Sequence, residues 1–131
     1  MAMSEIYTCC NCGYQVEAWD EGNPYVETTD GRRHYFYHPG SIEDVRPILT
    51  AEAGRKLDDS EFKQLVTQRA GNASDHLCVS CGKTTKLDSN KDKLACGKCH
   101  GTQVFEIWRC QGKLCPKCGG TFSEGSFNAI S

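Results

Sequence analysis

No stretch of this chain is apolar over the roughly 18 residues that a membrane-crossing helix needs. The first ten residues, "MAMSEIYTCC", have no basic segment followed by an apolar run, so they do not read as a secretory leader. The expectation is a soluble, cytoplasmic chain. Catalytic signatures are missing as well. There is no G-x-S-x-G, no phosphate-binding loop and no H-E-x-x-H. With no catalytic residue to nominate, an enzyme is the least expected class.

Apolar residues are also scarce. They make up 38% of 131 residues, and the mean hydropathy is −0.54. A chain of this size with so little to bury usually needs a metal or disulfides besides its core. Ten cysteines supply the material. In a reducing compartment clustered thiols read as metal ligands or redox groups, not as a disulfide framework.

Charge is unevenly spread. Residues 1–77 carry a formal −6 and residues 78–131 a formal +4, within an overall −2. The basic stretch holds Lys83, Lys86, Lys91, Lys93, Lys98, Arg109, Lys113 and Lys117. It could face an anionic partner, and nucleic acid is the alternative reading it raises. Two four-thiolate zinc sites, each with a formal charge of −2, would cancel the same +4.

Eight cysteines form four C-x-x-C pairs: Cys9/Cys12, Cys78/Cys81, Cys96/Cys99 and Cys115/Cys118. Two intervening residues let the chain curl until both sulfurs face one point, and backbone N–H groups in the curl can donate to the thiolates. Glycine follows the second cysteine in three pairs and permits the positive φ that ends the curl; the fourth pair has His100 there. Two such knuckles close one tetrahedral site, with Zn–S of about 2.3 Å. The expected metal ligands are therefore Cys9, Cys12, Cys78, Cys81, Cys96, Cys99, Cys115 and Cys118, holding two zinc ions. A single iron suits four thiolates too. A thioredoxin-like redox pair would need a βαβ context that is not evident here.

The knuckles can pair sequentially, interleaved or nested. "GKTTKLDSNKDKLA" between Cys81 and Cys96 reads as a hairpin: a strand at Thr84–Leu87, a turn at "DSNKD" and a return strand from "KLA". That favours nesting, with Cys9/Cys12 meeting Cys115/Cys118. "TQVFEIWRC", rich in aromatic and β-branched residues, reads as one long strand and serves sequential pairing equally well. A local alternative joins Cys9 and Cys12 to His34 and His38 as C-x2-C-x21-H-x3-H; Cys110 and His100 could then complete the Cys115/Cys118 pair. Cys10 and Cys110 are otherwise spare, and Cys110 suits a packing role.

The four knuckles resemble those of the zinc-ribbon superfamily, whose members commonly serve transcription or translation. "CGKCHGTQ" and "CPKCGGTF" are also similar to the repeats of the DnaJ-type cysteine-rich domain. That likeness implies nested pairing of two zincs and a role in holding unfolded protein. "CCNCGYQV" and "CVSCGKTT" lack its paired glycines.

The remaining residues, 13–77, read as an insertion. "YQVEAW", "YVETT" and "HYFYHP" are expected as a three-strand antiparallel meander. Tyr25, Tyr35, Phe36 and Tyr37 beside Arg32 and Arg33 could stack on single-stranded nucleic acid. Further on, Ser41 with Asp44 resembles a capping box. Pro47 should confine the next stretch to a short turn, and "LTAEAGRKL" should form a helix capped by Thr50. "DSEFKQLVTQRAG" should form a second helix, capped by Asp59, buried through Phe62, Leu65 and Val66, and stopped by Gly71. "GNASDH" reads as a linker.

The expected architecture is one small α+β domain over 1–131. Antiparallel hairpins of zinc-ribbon type, built on 9–12 and 78–118, are stabilised by metal. The insertion supplies a β-meander and one or two helices. The expected function is a structural zinc-binding protein that engages a protein partner or regulates one.

Overall fold

A computed structural model describes residues 3–20, 22–36 and 42–130. It is a small α+β structure with antiparallel sheets and two α-helices. Two compact units divide the chain: Met1–Gly22 with Ala73–Ser131, and Asn23–Asn72. All ten cysteines belong to the first.

In the first unit, β1 (Met3–Thr8) is the middle strand of a three-stranded sheet. It pairs with β2 (Gln15–Trp19) in a register that sets Tyr7 opposite Val16 and Glu5 opposite Ala18. Alternation along β2 turns Val16 and Ala18 inward and leaves Gln15 and Glu17 exposed. On its other side β1 pairs with β8 (Ser126–Ile130), so both ends of the chain share one sheet. A second ribbon forms around β5 (Ala70–Cys78), whose later residues pair with β6 (Thr84–Leu87) and with β7 (Val104–Glu106). The core gathers Tyr7, Val16, Ala18, Leu77, Ile107 and Phe122 together with Cys9, Cys110 and Cys115. A third of this buried cluster is cysteine, which is too little hydrocarbon to carry the unit by burial alone.

The second unit contains no cysteine. β3 (Asn23–Glu27) and β4 (Arg33–Tyr35) make a hairpin in which Tyr25 faces Tyr35. A 3₁₀ turn at Ile42–Val45 leads into α1 (Arg46–Ala53), and α2 (Asp59–Arg69) follows. Val26, Val45, Leu49, Leu57 and Phe62 form its buried cluster, with Phe36, Ile42, Leu65 and Val66 against it. The backbone N–H of Asn23 donates to the Asn72 side chain at 2.9 Å, which ties the entry of this unit to its exit.

Several sequence expectations change. The three-strand meander does not form, because β2 pairs with β1 in one sheet while β3 and β4 pair with each other in another. Pro47 does not interrupt: it sits in the first turn of α1, where the missing N–H would have no helical partner. α1 therefore starts before Thr50, and it closes at Gly54 in the left-handed conformation (φ 72°). Asp58, not Asp59, caps α2, through a reciprocal capping box with Glu61. Gly71 does not stop α2, which ends at Arg69. The supposed linker "GNASDH" is part of β5; Ser74, Asp75 and His76 pair with β6, and that ladder overrides the low intrinsic strand preference. "KLA" forms no return strand, since β6 takes β5 as partner instead. The long strand expected in "TQVFEIWRC" is only β7, followed by a 3₁₀ turn at Ile107–Arg109. The capping residue Ser41 lies outside the described residues.

Candidate metal centres

Each of the four knuckles repeats one hydrogen-bond pattern. The N–H of the first cysteine donates to the carbonyl five residues on: Cys9 to Tyr14, Cys78 to Lys83, Cys96 to Gly101 and Cys115 to Gly120, all at 2.7–3.0 Å. Its carbonyl accepts from the residue four on, namely Gly13, Gly82, His100 and Gly119. That residue has φ of 79°, 75°, 62° and 76° respectively. The conformation costs glycine little and any side chain more, so His100 occupies a position the other knuckles give to glycine.

The curl aims both sulfurs inward. In every knuckle the first cysteine is buried and the second exposed. N–H groups inside the curl reach the sulfurs: Asn11 to Cys9 at 3.4 Å, Lys98 to Cys96 at 3.3 Å and Lys117 to Cys115 at 3.4 Å.

The sulfurs then assemble in two groups, Cys9, Cys12, Cys115, Cys118 and Cys78, Cys81, Cys96, Cys99. This is the nested order. Across the knuckles the separations are 3.5 Å for Cys9–Cys118, 3.7 Å for Cys12–Cys115, 3.6 Å for Cys78–Cys99 and 3.5 Å for Cys81–Cys96. A tetrahedron with bonds of about 2.3 Å has edges of about 3.8 Å. A disulfide would need about 2.05 Å. The donor set, the separations and the shape of each group therefore fit one metal ion apiece. Family models, curated proteins and solved structures gave no match to this chain.

Electrostatics points the same way. Cys96 is lowered to about 6 by the backbone N–H groups of Cys99 and then Lys98. Cys118 falls to about 6 through the Asn11 side chain and then the Gly120 N–H. Cys12 and Cys81 rise to about 11: the N–H of Tyr14 or Lys83 pulls each down, but desolvation and the neighbouring sulfurs outweigh it. Each group thus ionises only in part by itself. A divalent cation relieves the repulsion and displaces the remaining protons.

The first group clasps chain ends. Cys9 bridges to Phe122, Cys10 N–H donates to the Thr121 carbonyl at 2.9 Å, and Ser123 N–H donates to Thr8 at 2.8 Å. Tyr14 reaches the other group by donating its hydroxyl to the Gly82 carbonyl at 3.4 Å. Asn11 and Tyr14 are functional neighbours that cysteine spacing does not reveal, although both lie in or beside the first knuckle.

The other sequence candidates are placed as follows. Cys10 is exposed, and Cys110 is fully buried, where burial pushes its thiol up to about 12. His34 lies in β4 with its ring 3.5 Å from the Thr28 hydroxyl, and His38 lies outside the described residues. Neither Cys110 nor His100 joins a sulfur group among the described residues. Lys83, Lys86, Lys91, Lys93, Lys98, Arg109, Lys113 and Lys117 are all exposed. Within the unit Arg109 pairs with Glu106 at 3.3 Å, and the Lys117 ammonium lies 5.4 Å from the centre of the Tyr14 ring. The aromatic platform does not form as expected: Tyr25 is fully buried, edge-on to Tyr35, with the Arg33 guanidinium 4.4 Å over its ring. Tyr37 lies outside the described residues. No described helix is long and apolar enough to cross a membrane.

Proposed function

We propose that this chain is a structural zinc protein of zinc-ribbon type that serves as a protein-interaction or regulatory module in the cytoplasm. The supporting observation is the pair of four-sulfur groups, each with cross-knuckle separations of 3.5–3.7 Å. Sulfurs that all lie within 4.8 Å of one another enclose a single ion and leave no room for a multi-iron core. Zinc is the metal that most commonly takes closed four-thiolate sites of this kind. A site closed by four protein ligands has no position left for substrate, so the metals hold the fold and an enzymatic role is not proposed.

Native mass spectrometry with and without a chelator tests this reading. Two zinc ions per chain, with the first unit unfolding on their removal, is the expected result. A chain purified with one ion, with none, or with iron overturns it.

A second reading, nucleic-acid binding, draws on the exposure of all eight basic side chains of residues 78–131. It requires affinity for DNA or RNA at about 50 mM salt that falls steeply as salt rises. Absence of binding at that ionic strength ends it.

A further inference from the structure

The chain has two tryptophans, and both line one cleft. Trp19 ends β2, and Trp108 sits in the 3₁₀ turn that packs on β2. The cleft measures about 180 Å³, and its charged lining is Asp20, Asp75, Glu106 and Arg109. Trp108 remains 37% exposed. Nothing in the metal centres uses these residues.

Size limits the occupant. Sites for drug-sized ligands and cofactors usually start near 300 Å³. A cleft of about 180 Å³ admits one long side chain. Charge decides which. Three carboxylates and one guanidinium leave the lining negative, and that guanidinium is already engaged by Glu106 at 3.3 Å. Lys86 stands opposite Asp75 in the β5–β6 register, so the clearest acceptor is Asp20. Its position is held at the end of β1–β2, where one carboxylate oxygen accepts the Met3 N–H at 2.9 Å. Indole faces attract cations and also pack hydrocarbon stems. An anionic side chain would be repelled here, and a neutral one would gain only packing.

We propose that this cleft receives a lysine or arginine side chain from a protein partner, the stem lying on the two indoles and the charged head meeting Asp20. This deepens the protein-partner reading above and rests on it only for the source of the side chain.

Because both tryptophans line the cleft, indole emission reports on this site and no other. The experiment titrates the metal-loaded protein with a blocked tetra-lysine peptide, with blocked tetra-glutamate as control, and measures metal content on the same sample. The proposal expects a saturable change with tetra-lysine and none with tetra-glutamate. Trp108→Ala, which leaves Trp19 as reporter, and Asp20→Asn, which keeps an acceptor for the Met3 N–H, should each weaken binding about tenfold. No saturable change, an equal response to both peptides, or two variants that bind as wild type overturns it. A chain that holds two ions and ignores tetra-lysine sinks the cleft and leaves the metal reading standing. A metal-free chain that still binds the peptide does the reverse.

Discussion

The two units solve the same shortage of apolar residues by different means. The first holds every cysteine and uses four curls with one shared hydrogen-bond pattern to point eight sulfurs at two places. The second has none and relies on a conventional apolar cluster edged by charge. There Arg69 pairs with Glu52 at 2.8 Å, Arg55 with Glu61, and Arg46 with Glu43 at 2.7 Å and Asp59 at 3.1 Å. The Arg46 guanidinium also lies 4.1 Å over the Phe62 ring. These pairs are solvent-accessible, where a single pair contributes only about 0–1 kcal/mol. A structural zinc site is worth on the order of 10 kcal/mol or more. The first unit should therefore answer to metal and the second to burial and capping.

Chelation is the strongest way to break that contrast. Removing metal should abolish amide protection in β1, β2 and β5–β7 while α1 and α2 keep theirs. Hydrogen exchange with and without chelator checks this, and helices that lose protection together with the sulfur unit would show that the contrast is not one of separate stabilities.

Single substitutions sharpen it within the first unit. Cys9→Ser and Cys78→Ser should each lose one ion of two, because each removes a buried sulfur from a different group. Cys10→Ser should keep both ions. Cys110→Ser should also keep both but destabilise the unit by about 1–3 kcal/mol, since a fully buried packing thiol becomes a polar hydroxyl. Metal stoichiometry separates these outcomes from simple loss of stability.

Acid should strip the two units in order. The Cys96 and Cys118 thiols are lowered from 9.0 to about 6 in the fold, so their contribution is complete above about 9 and is lost as pH falls through about 6. Bound metal competes with protons and carries that loss to lower pH. Glu61 is lowered from 4.5 to about 2 by the Arg55 guanidinium and then the Asp58 N–H, so its contribution holds above 4.5 and goes as pH falls through about 2. Metal release, read with a chromogenic indicator, should precede loss of helical circular dichroism as pH drops. The opposite order would contradict the assignment of thiolates to one unit and the capping network to the other.

The smallest effect tests the curls themselves. His100 has φ of 62° where the other knuckles have glycine. His100→Gly should stabilise the first unit by about 1 kcal/mol, and Gly82→Ala should destabilise it by a similar amount. At Gly82 an added Cβ would meet only Pro116 at 3.8 Å, so the cost there is conformational and not a clash. Thermal melts of metal-loaded protein measure both.

The candidate site was far more legible than the strands that frame it. Knuckle geometry is set within six residues, by the i to i+5 and i+4 hydrogen bonds around each cysteine pair, so spacing and the following glycine suffice to read it. β1 and β8 escaped notice because "SEIYT" and "SFNAI" are short and partly polar; β1 takes its ladder from β2 and β8, and β8 takes its own from β1 at the other end of the chain. β5 escaped because its glycine, asparagine and serine read as loop; Ser74 to Leu77 become strand by pairing with β6 and His76 to Cys78 by pairing with β7.

The sequence by itself determined the four curls, the scarcity of hydrocarbon, and the second helix with its narrow apolar stripe at Phe62, Leu65 and Val66. Tertiary structure decided which curls meet. Nesting depends on β8 lying beside β1 and on Phe122 bridging to Cys9, contacts between residues more than a hundred positions apart in the chain. No local preference encodes a contact of that range; it forms because closing the chain buries Tyr7, Phe122 and two cysteines of the clasp in one core.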